Sequence, residues 1–263
     1  MNILKKYSIV FIIFIFALCN NSSINLPQSC YCTKVPKPSI TRNVFFQLRG
    51  NLLYHEDSLV TDLKHFYWHL DDFIEMNDGS NNFRVVFAAP ETTKYPVLDS
   101  IFYQFAKDTY FRKFFLLTNS LKDSCGLKTF IAFEPPDSTY GFDSIEFESA
   151  VNANKVYKVT IDNNKIYMNG CRIKKRDLKE AFKKIILIDK HLAIFPYNEN
   201  TYSELIFLLG TYHYCLNEIK NEYALKEYDN PYSSLPKFKA EEIDFQFQPR
   251  VSIIYIYSRI SKW

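Results

Sequence analysis

Apolar and polar positions along the chain fall into a short cycle that occurs twice. In the first occurrence a strand over Asn43–Arg49 turns at Gly50-Asn51 into a second short strand, Leu52–His55. A stretch with apolar residues Leu59, Leu63, Phe66, Leu70, Phe73 and Ile74 follows at helical spacing and predicts a helix over Leu59–Glu75, with Asp57 or Ser58 as its cap. The polar run Asn77–Asn82 is a loop. Arg84–Ala89 is then a buried strand ended by Pro90, Tyr95–Lys107 a helix entered through Pro96, and Phe114–Thr118 a strand. In the second occurrence Lys155–Ile161 and Lys165–Met168 flank the hairpin turn Asp162-Asn163-Asn164. Lys174–Ile186 is an amphipathic helix with the apolar stripe Leu178, Ala181, Phe182, Ile185 and Ile186. His191–Phe195 is a strand ended by Pro196, and Thr201–Leu216 is the second helix.

The two cycles align in order: Leu53-Tyr54 with Ile166-Tyr167, Asp62-Leu63-Lys64 with Asp177-Leu178-Lys179, and Tyr95 with Tyr202. The first is longer, and the excess falls on the polar run Asp71–Asn82, where an insertion between helix and strand is tolerated. The fold class expected is therefore α+β, built from two β-α-β-α units, each a small sheet covered by two helices. The expected organisation is a leader over 1–19, a linker over 20–42 and a first unit over 43–127. Connecting strands over 128–154 (Lys128–Phe133 and Ser144–Glu148), a second unit over 155–227 and C-terminal strands over 228–263 complete it. Tyr228–Pro236 is a loop by composition, and Asp244–Ser258 predicts a terminal strand pair around Pro249-Arg250.

The N-terminus changes the picture from fold to compartment. Lys5 and Lys6 precede an unbroken apolar run, Ile9–Leu18, which has the anatomy of a secretory signal peptide and is short for a bilayer span. Cleavage before Asn20 fits Ala17 and Cys19; lipidation of Cys19 is an alternative that Leu18 fits poorly, and an uncleaved anchor is a third. All three place the remainder outside the cytoplasm, in the periplasm or otherwise exported. The Pro-containing segment Asn20–Asn43 reads as a tether. Without residues 1–19 the chain carries 30 basic and 29 acidic residues, so no nucleic-acid footprint is expected. Cysteines stand at 19, 30, 32, 125, 171 and 215; losing Cys19 leaves an odd number and no full disulfide framework. Cys30-Tyr31-Cys32 falls in the tether.

Candidate chemistry is sparse. His65 and His69 share one helical face with Asp62 and Asp72 a turn away, which is metal-ligand spacing without the glutamate of an HExxH site or a third ligand. His55, Asp57 and Ser58 are neighbours best explained by helix capping. Glu91 and Asp99 fit surface positions at a helix entry. His213 and Cys215 lie two apart on a helix and point in different directions. Gly-x-Ser-x-Gly, Walker and dinucleotide patterns are absent, and six glycines leave little room for phosphate loops. Phe102–Phe115 and Tyr255–Trp263 are aromatic segments expected in the core or on edge strands. No catalytic, cofactor-binding or metal residue is assigned, and no cofactor is expected.

Val159–Ile161, Lys165–Met168 and Asn169-Gly170, followed by Lys175–Lys184, Leu192–Pro196 and Tyr202–Leu209, resemble the periplasmic domain of the ExbD/TolR biopolymer-transport proteins. Phe46–Asn119 resembles a more diverged copy, with Phe114–Thr118 as the family's final strand; the second copy shows no such strand where the polar Glu218–Glu222 stands. The resemblance implies an exported domain that dimerises and binds partner proteins or cell-wall material. Family members carry a membrane helix with a proton-coupling Asp, and Ile9–Leu18 has no acidic residue, which disfavours a motor subunit. The expectation is a non-catalytic cell-envelope binding or assembly protein, accessory to an ExbD/TolR-type system. Its partners would be envelope proteins or peptidoglycan, with homodimerisation and with membrane contact only through an uncleaved leader or Cys19. Two alternatives stand beside it: a metal-dependent exported enzyme using His65 and His69, and a lipid-anchored envelope protein of unrelated function.

Overall fold

The computed structural model describes residues 24–34, 42–55, 58–60, 83–107, 113–118, 125–133 and 156–255. Within them the protein is α+β. Twelve strands join in one hydrogen-bonded sheet, eleven of them along a single path. The strands are β1 Thr33–Lys34, β2 Arg42–Arg49, β3 Leu52–His55, β4 Ser58–Leu59, β5 Phe83–Ala88, β6 Lys113–Leu117 and β7 Cys125–Phe133 in the first half. The second half has β8 Val156–Asp162, β9 Lys165–Met168, β10 Cys171–Ile173, β11 His191–Phe195 and β12 Val251–Tyr255. The helices are α1 Tyr95–Lys107, α2 Leu178–Leu187, α3 Tyr202–Tyr228 and α4 Lys237–Gln246. Across the sheet the order is β10-β9-β8-β11-β12-β7-β6-β5-β2-β3-β4, with β1 paired to β7.

Both halves are mixed, and they have the same plan. A hairpin (β2-β3, β8-β9) is followed by a strand parallel to its first arm, a helix, and another parallel strand. The hairpins agree pair for pair: Arg49↔Leu52, Leu48↔Leu53 and Phe46↔His55 correspond to Asp162↔Lys165, Ile161↔Ile166 and Val159↔Met168 at one constant offset. Two-residue loops fix this register, because their twist must match that of the strands. The left-handed backbone they need falls on Gly50 (φ 62°), Asn163 (47°) and Asn164 (60°), residues that adopt it at low cost. The halves meet where β12 runs parallel to β7 and β7 antiparallel to β6.

Alternation places one row of side chains on the helix-covered face: Phe46, Leu48, Val85, Phe87, Leu116, Leu127, Val159, Ile161, Leu192, Ile194, Val251 and Ile253. They pack with Leu98 and Phe102 of α1, Leu178, Phe182 and Ile185 of α2, and Leu205, Leu209, Tyr212 and Leu216 of α3. The opposite row, Val86, Ala88, Phe115 and Leu117, is covered by Ile24 and Leu26. No described helix is long and apolar enough to cross a membrane.

Four expectations are corrected. Residues 24–34 are not a loose tether: Leu26 is buried, β1 pairs with Gly126 and Cys125, and Cys32 is bridged to Cys125. Proline content suggested a linker, but apolar cover on the second sheet face holds the segment down. Ser58 does not cap a helix and Leu59 does not start one, since both belong to β4, paired with His55 and Tyr54. The rest of the helix expected to Glu75 lies outside the described residues, as do the polar insertion and the strand Ser144–Glu148. Helix α3 continues beyond Leu216 to Tyr228 through Glu218–Glu222, because Ile219 and Ala224 keep its buried stripe going. Finally, among the described residues the expected terminal strand pair is replaced by α4 and one strand: Pro236 precedes a good helix-forming run in which Ile243 is buried, and Val251–Tyr255 is extended.

Candidate functional site

The two halves touch through the loops that enter α1 and α3. Tyr95 N–H donates to Asn200 O at 2.7 Å and Tyr202 N–H donates to Thr93 O at 2.8 Å. Tyr95 and Tyr202 are aligned residues, and so are Thr93 and Asn200, so this is one hydrogen bond made twice, each loop serving the other. These two bonds are one antiparallel bridge, centred on Lys94 and Thr201, which are also aligned. Local chemistry makes the loops rigid. Thr201 and Glu204 form a capping box, the Thr201 hydroxyl accepting from Glu204 N–H and the Glu204 carboxylate from Thr201 N–H. Asn200 is buried; its amide donates to Ile161 O at 3.1 Å and accepts from Tyr197 N–H at 2.7 Å. The buried Tyr202 hydroxyl donates to Leu117 O at 3.1 Å, and burial pushes its pKa well above the ordinary phenol value, so it stays a donor.

Residues 24–34 form a strap over this assembly. Asn25 is bound to Glu91 of the α1 entry through both backbone and side chain. Ser29 lies against Gly210 of α3 so closely that a Cβ there would overlap its hydroxyl. Tyr31 packs on the core and stacks against His213 at 6.2 Å between ring centres. Burial, with the charge of Asp244 second, raises the Tyr31 pKa. Asp244 itself is taken up by Lys220 at 2.6 Å and by the Tyr232 hydroxyl, whose pKa is raised by burial and by that bond. Lys220, Tyr232 and Asp244 thus tie α3 to α4 beside the strap.

A second polar pair links the strands themselves. His191 Nε2 lies 2.9 Å from Ser252 Oγ, on neighbouring parallel strands β11 and β12. Burial, and next the Arg250 charge, lower the His191 pKa. Arg250 in turn pairs with Asp189 at 2.7 Å, and its N–H donates to Tyr212 Oη at 2.9 Å. The Tyr212 pKa is pushed up to about 12 by burial. A serine beside a neutral imidazole has the composition of a nucleophile and base. Ser252 is only 3% exposed, however, so the pair serves as a link between strands. The sequence holds no local sign of it, because 61 residues separate the partners.

Among residues singled out in the sequence, His65, His69, Asp62 and Asp72 lie outside the described residues. His55 sits in β3, its ring stacked on Phe46 at 4.8 Å, and Ser58 is its strand partner rather than a cap. Glu91 holds Asn25, and Asp99 lies half-buried within α1. His213 faces the strap, whereas Cys215 points at Lys179 O of α2 with its thiol pKa pushed up to about 11 by burial; the structure does not bring them together. Cys30, Cys171 and Cys215 are free thiols. Among the described residues no group of three His, Cys, Asp or Glu side chains is placed to hold a metal. No protein-family model, no curated protein and no solved structure matches this chain.

The described sheet ends at β10 on one side and at β4 on the other. β10 is exposed at Cys171 and Arg172. A terminal strand of this kind carries backbone groups able to pair with an incoming chain.

Proposed function

We propose that this chain is an exported, non-catalytic cell-envelope protein that binds or assembles partners, built from two ExbD/TolR-like units fused in one polypeptide. The observation that carries the reading is the reciprocal pair Tyr95 to Asn200 and Tyr202 to Thr93, made by aligned residues of the two halves. A unit that pairs with its own copy makes contacts of this kind, each position meeting its counterpart across a two-fold relation. Here the copy follows in the same chain. The Cys32–Cys125 disulfide supports an oxidising compartment, in line with the leader read at residues 1–19. With pairing satisfied internally, the strand edge at β10 is left for an envelope protein or peptidoglycan, the role of an accessory to a biopolymer-transport system.

Affinity capture tests this. The chain from Asn20, immobilised and exposed to envelope extract and to purified peptidoglycan, is expected to retain a defined protein or the cell-wall polymer. Retention of neither overturns the binding role. Recovery of the chain in the cytoplasmic fraction with residues 1–19 intact overturns the compartment.

A further inference from the structure

Strand β10 is held in place by a tight hairpin. Asn169 and Gly170 join it to β9 with φ values of 47° and 80°, the left-handed pair that a two-residue type I′ turn requires. Asn169 is also pinned to β8: its N–H donates to Lys158 O at 2.8 Å, and its side-chain oxygen accepts from Lys158 N–H at 2.7 Å. The residues that flank such a turn, Met168 and Cys171, bond to each other, so the next pair, Tyr167 and Arg172, does not. The backbone N–H and C=O of Arg172 therefore point outward, away from β9. Register sets the side chains as well. Cys171 and Ile173 share the helix-covered face with Met168 and Ile166, and Arg172 lies on the other face with Tyr167. Lys174, still extended at ψ 143°, comes two residues later and returns to the face of Arg172.

The charge at this edge is one-sided. Residues 156–187 hold nine Lys and Arg side chains against three carboxylates, while the whole chain is only +3. Four of the cations, Arg172, Lys174, Lys175 and Arg176, fall on β10 and the turn that follows it. Lys175 lies over Phe207, and Arg176 pairs with Asp177. Arg172 and Lys174 are exposed and have no ion pair among the described residues. Cations on a short edge strand discourage pairing with apolar or basic strands. Two of them in one line select a strand that brings carboxylates to the same line. Alternate side chains of any extended chain stand about 7 Å apart, the spacing at which Arg172 and Lys174 repeat.

We infer that the β10 edge takes an acidic peptide as an added strand. The peptide backbone pairs with Arg172, and carboxylates at alternate positions of the peptide meet Arg172 and Lys174. The inference rests on the binding role proposed above and gives the partner its chemistry: an extended segment with an acidic side chain at every second residue. Its assay uses a synthetic peptide, so its failure is separate from failure to capture an envelope component.

A fluorescein-labelled heptapeptide with Glu and Val in alternation is titrated with the chain from Asn20, which keeps every described residue, and binding is read by anisotropy. It should bind about 10-fold more tightly than its Gln counterpart, the scale of two exposed charge pairs, and weaken as salt rises. Arg172→Glu/Lys174→Glu should abolish that preference, with the thermal midpoint unchanged because both side chains are exposed. The residue opposite Arg172 shares its face and is a Glu, so N-methylation of the Glu amides removes the donors that pair with β10 and keeps the charge. That peptide should bind about 10-fold more weakly, whereas N-methylation of the Val amides should change little. Three results each overturn the inference: no binding of the acidic peptide, equal binding of the Glu and Gln peptides, or binding that survives methylation of the Glu amides. The last would mark a surface that attracts anions without adding a strand.

Discussion

Gly210 sits in the middle of α3, where alanine would ordinarily be about 1 kcal/mol better. Ser29 of the strap occupies the space an alanine methyl would need, so the sign reverses here. Gly210→Ala is expected to lower stability by about 1–3 kcal/mol, the usual range for overpacking. Adding Ser29→Ala should recover most of the loss, because it removes the hydroxyl that the new methyl meets. A double-mutant cycle by urea unfolding checks this, and additive effects would mean that the strap is not seated at Gly210. His191 makes a pH prediction. Its folded pKa is lowered from 6.5, by burial first and by Arg250 second. Above that range both states are neutral and its contribution is complete; as pH falls through 6.5 the unfolded chain takes up the proton first, so stability declines. Urea midpoints measured from pH 8 to pH 5 should fall more in the wild type than in His191→Gln, which has no proton to gain.

At the scale of elements, the most informative contact is the loop pair that starts α1 and α3. Thr201→Ala removes the hydroxyl half of the capping box and should cost about 1 kcal/mol. Tyr202→Phe deletes a buried hydroxyl and leaves Leu117 O without its donor, at an expected cost of about 1–3 kcal/mol. Thermal unfolding of the two variants orders them, and a cost at Thr201 exceeding that at Tyr202 would place the α3 entry in solvent instead of the core. Hairpins and short helices were legible in the chain because each is decided by neighbours: Asn163-Asn164 sets a turn, and the Leu178–Ile186 stripe sets a helix. The C-terminal end of α3 and the nature of 237–246 were not. Glu218–Glu222 looks like a break when read alone; in the fold Lys183 pairs with Glu218 and Glu222, and Ile219 finds cover inside.

At the scale of the molecule, the Cys32–Cys125 bridge spans 93 positions and fastens the strap to the central strand β7. Closing a loop of that length removes enough denatured-chain entropy to be worth about 4–5 kcal/mol by the chain-entropy relation. Reduction, or Cys32→Ser with Cys125→Ser, should lower the urea midpoint accordingly and speed amide exchange first in residues 24–34. An unchanged midpoint would mean that the strap stays in place without its covalent link. The same bridge ties the N-terminal half to the junction of the halves, since β7 lies between β6 and β12.

By itself, the sequence determined what local chemistry decides. It marked the α+β class, the two aligned hairpins, the helix starts at Tyr95 and next to Thr201, and the buried strands ending at Pro90 and Pro196. Each follows from side-chain periodicity or backbone restriction over a few residues. Tertiary structure alone decided that Val251–Tyr255 pairs with β11 far behind it, that Cys32 finds Cys125, that Ser29 fills the notch at Gly210, and that Leu187 and Ile188 face water. Those outcomes depend on which surfaces remain uncovered once the elements have packed. No stretch of the chain read on its own contains that information.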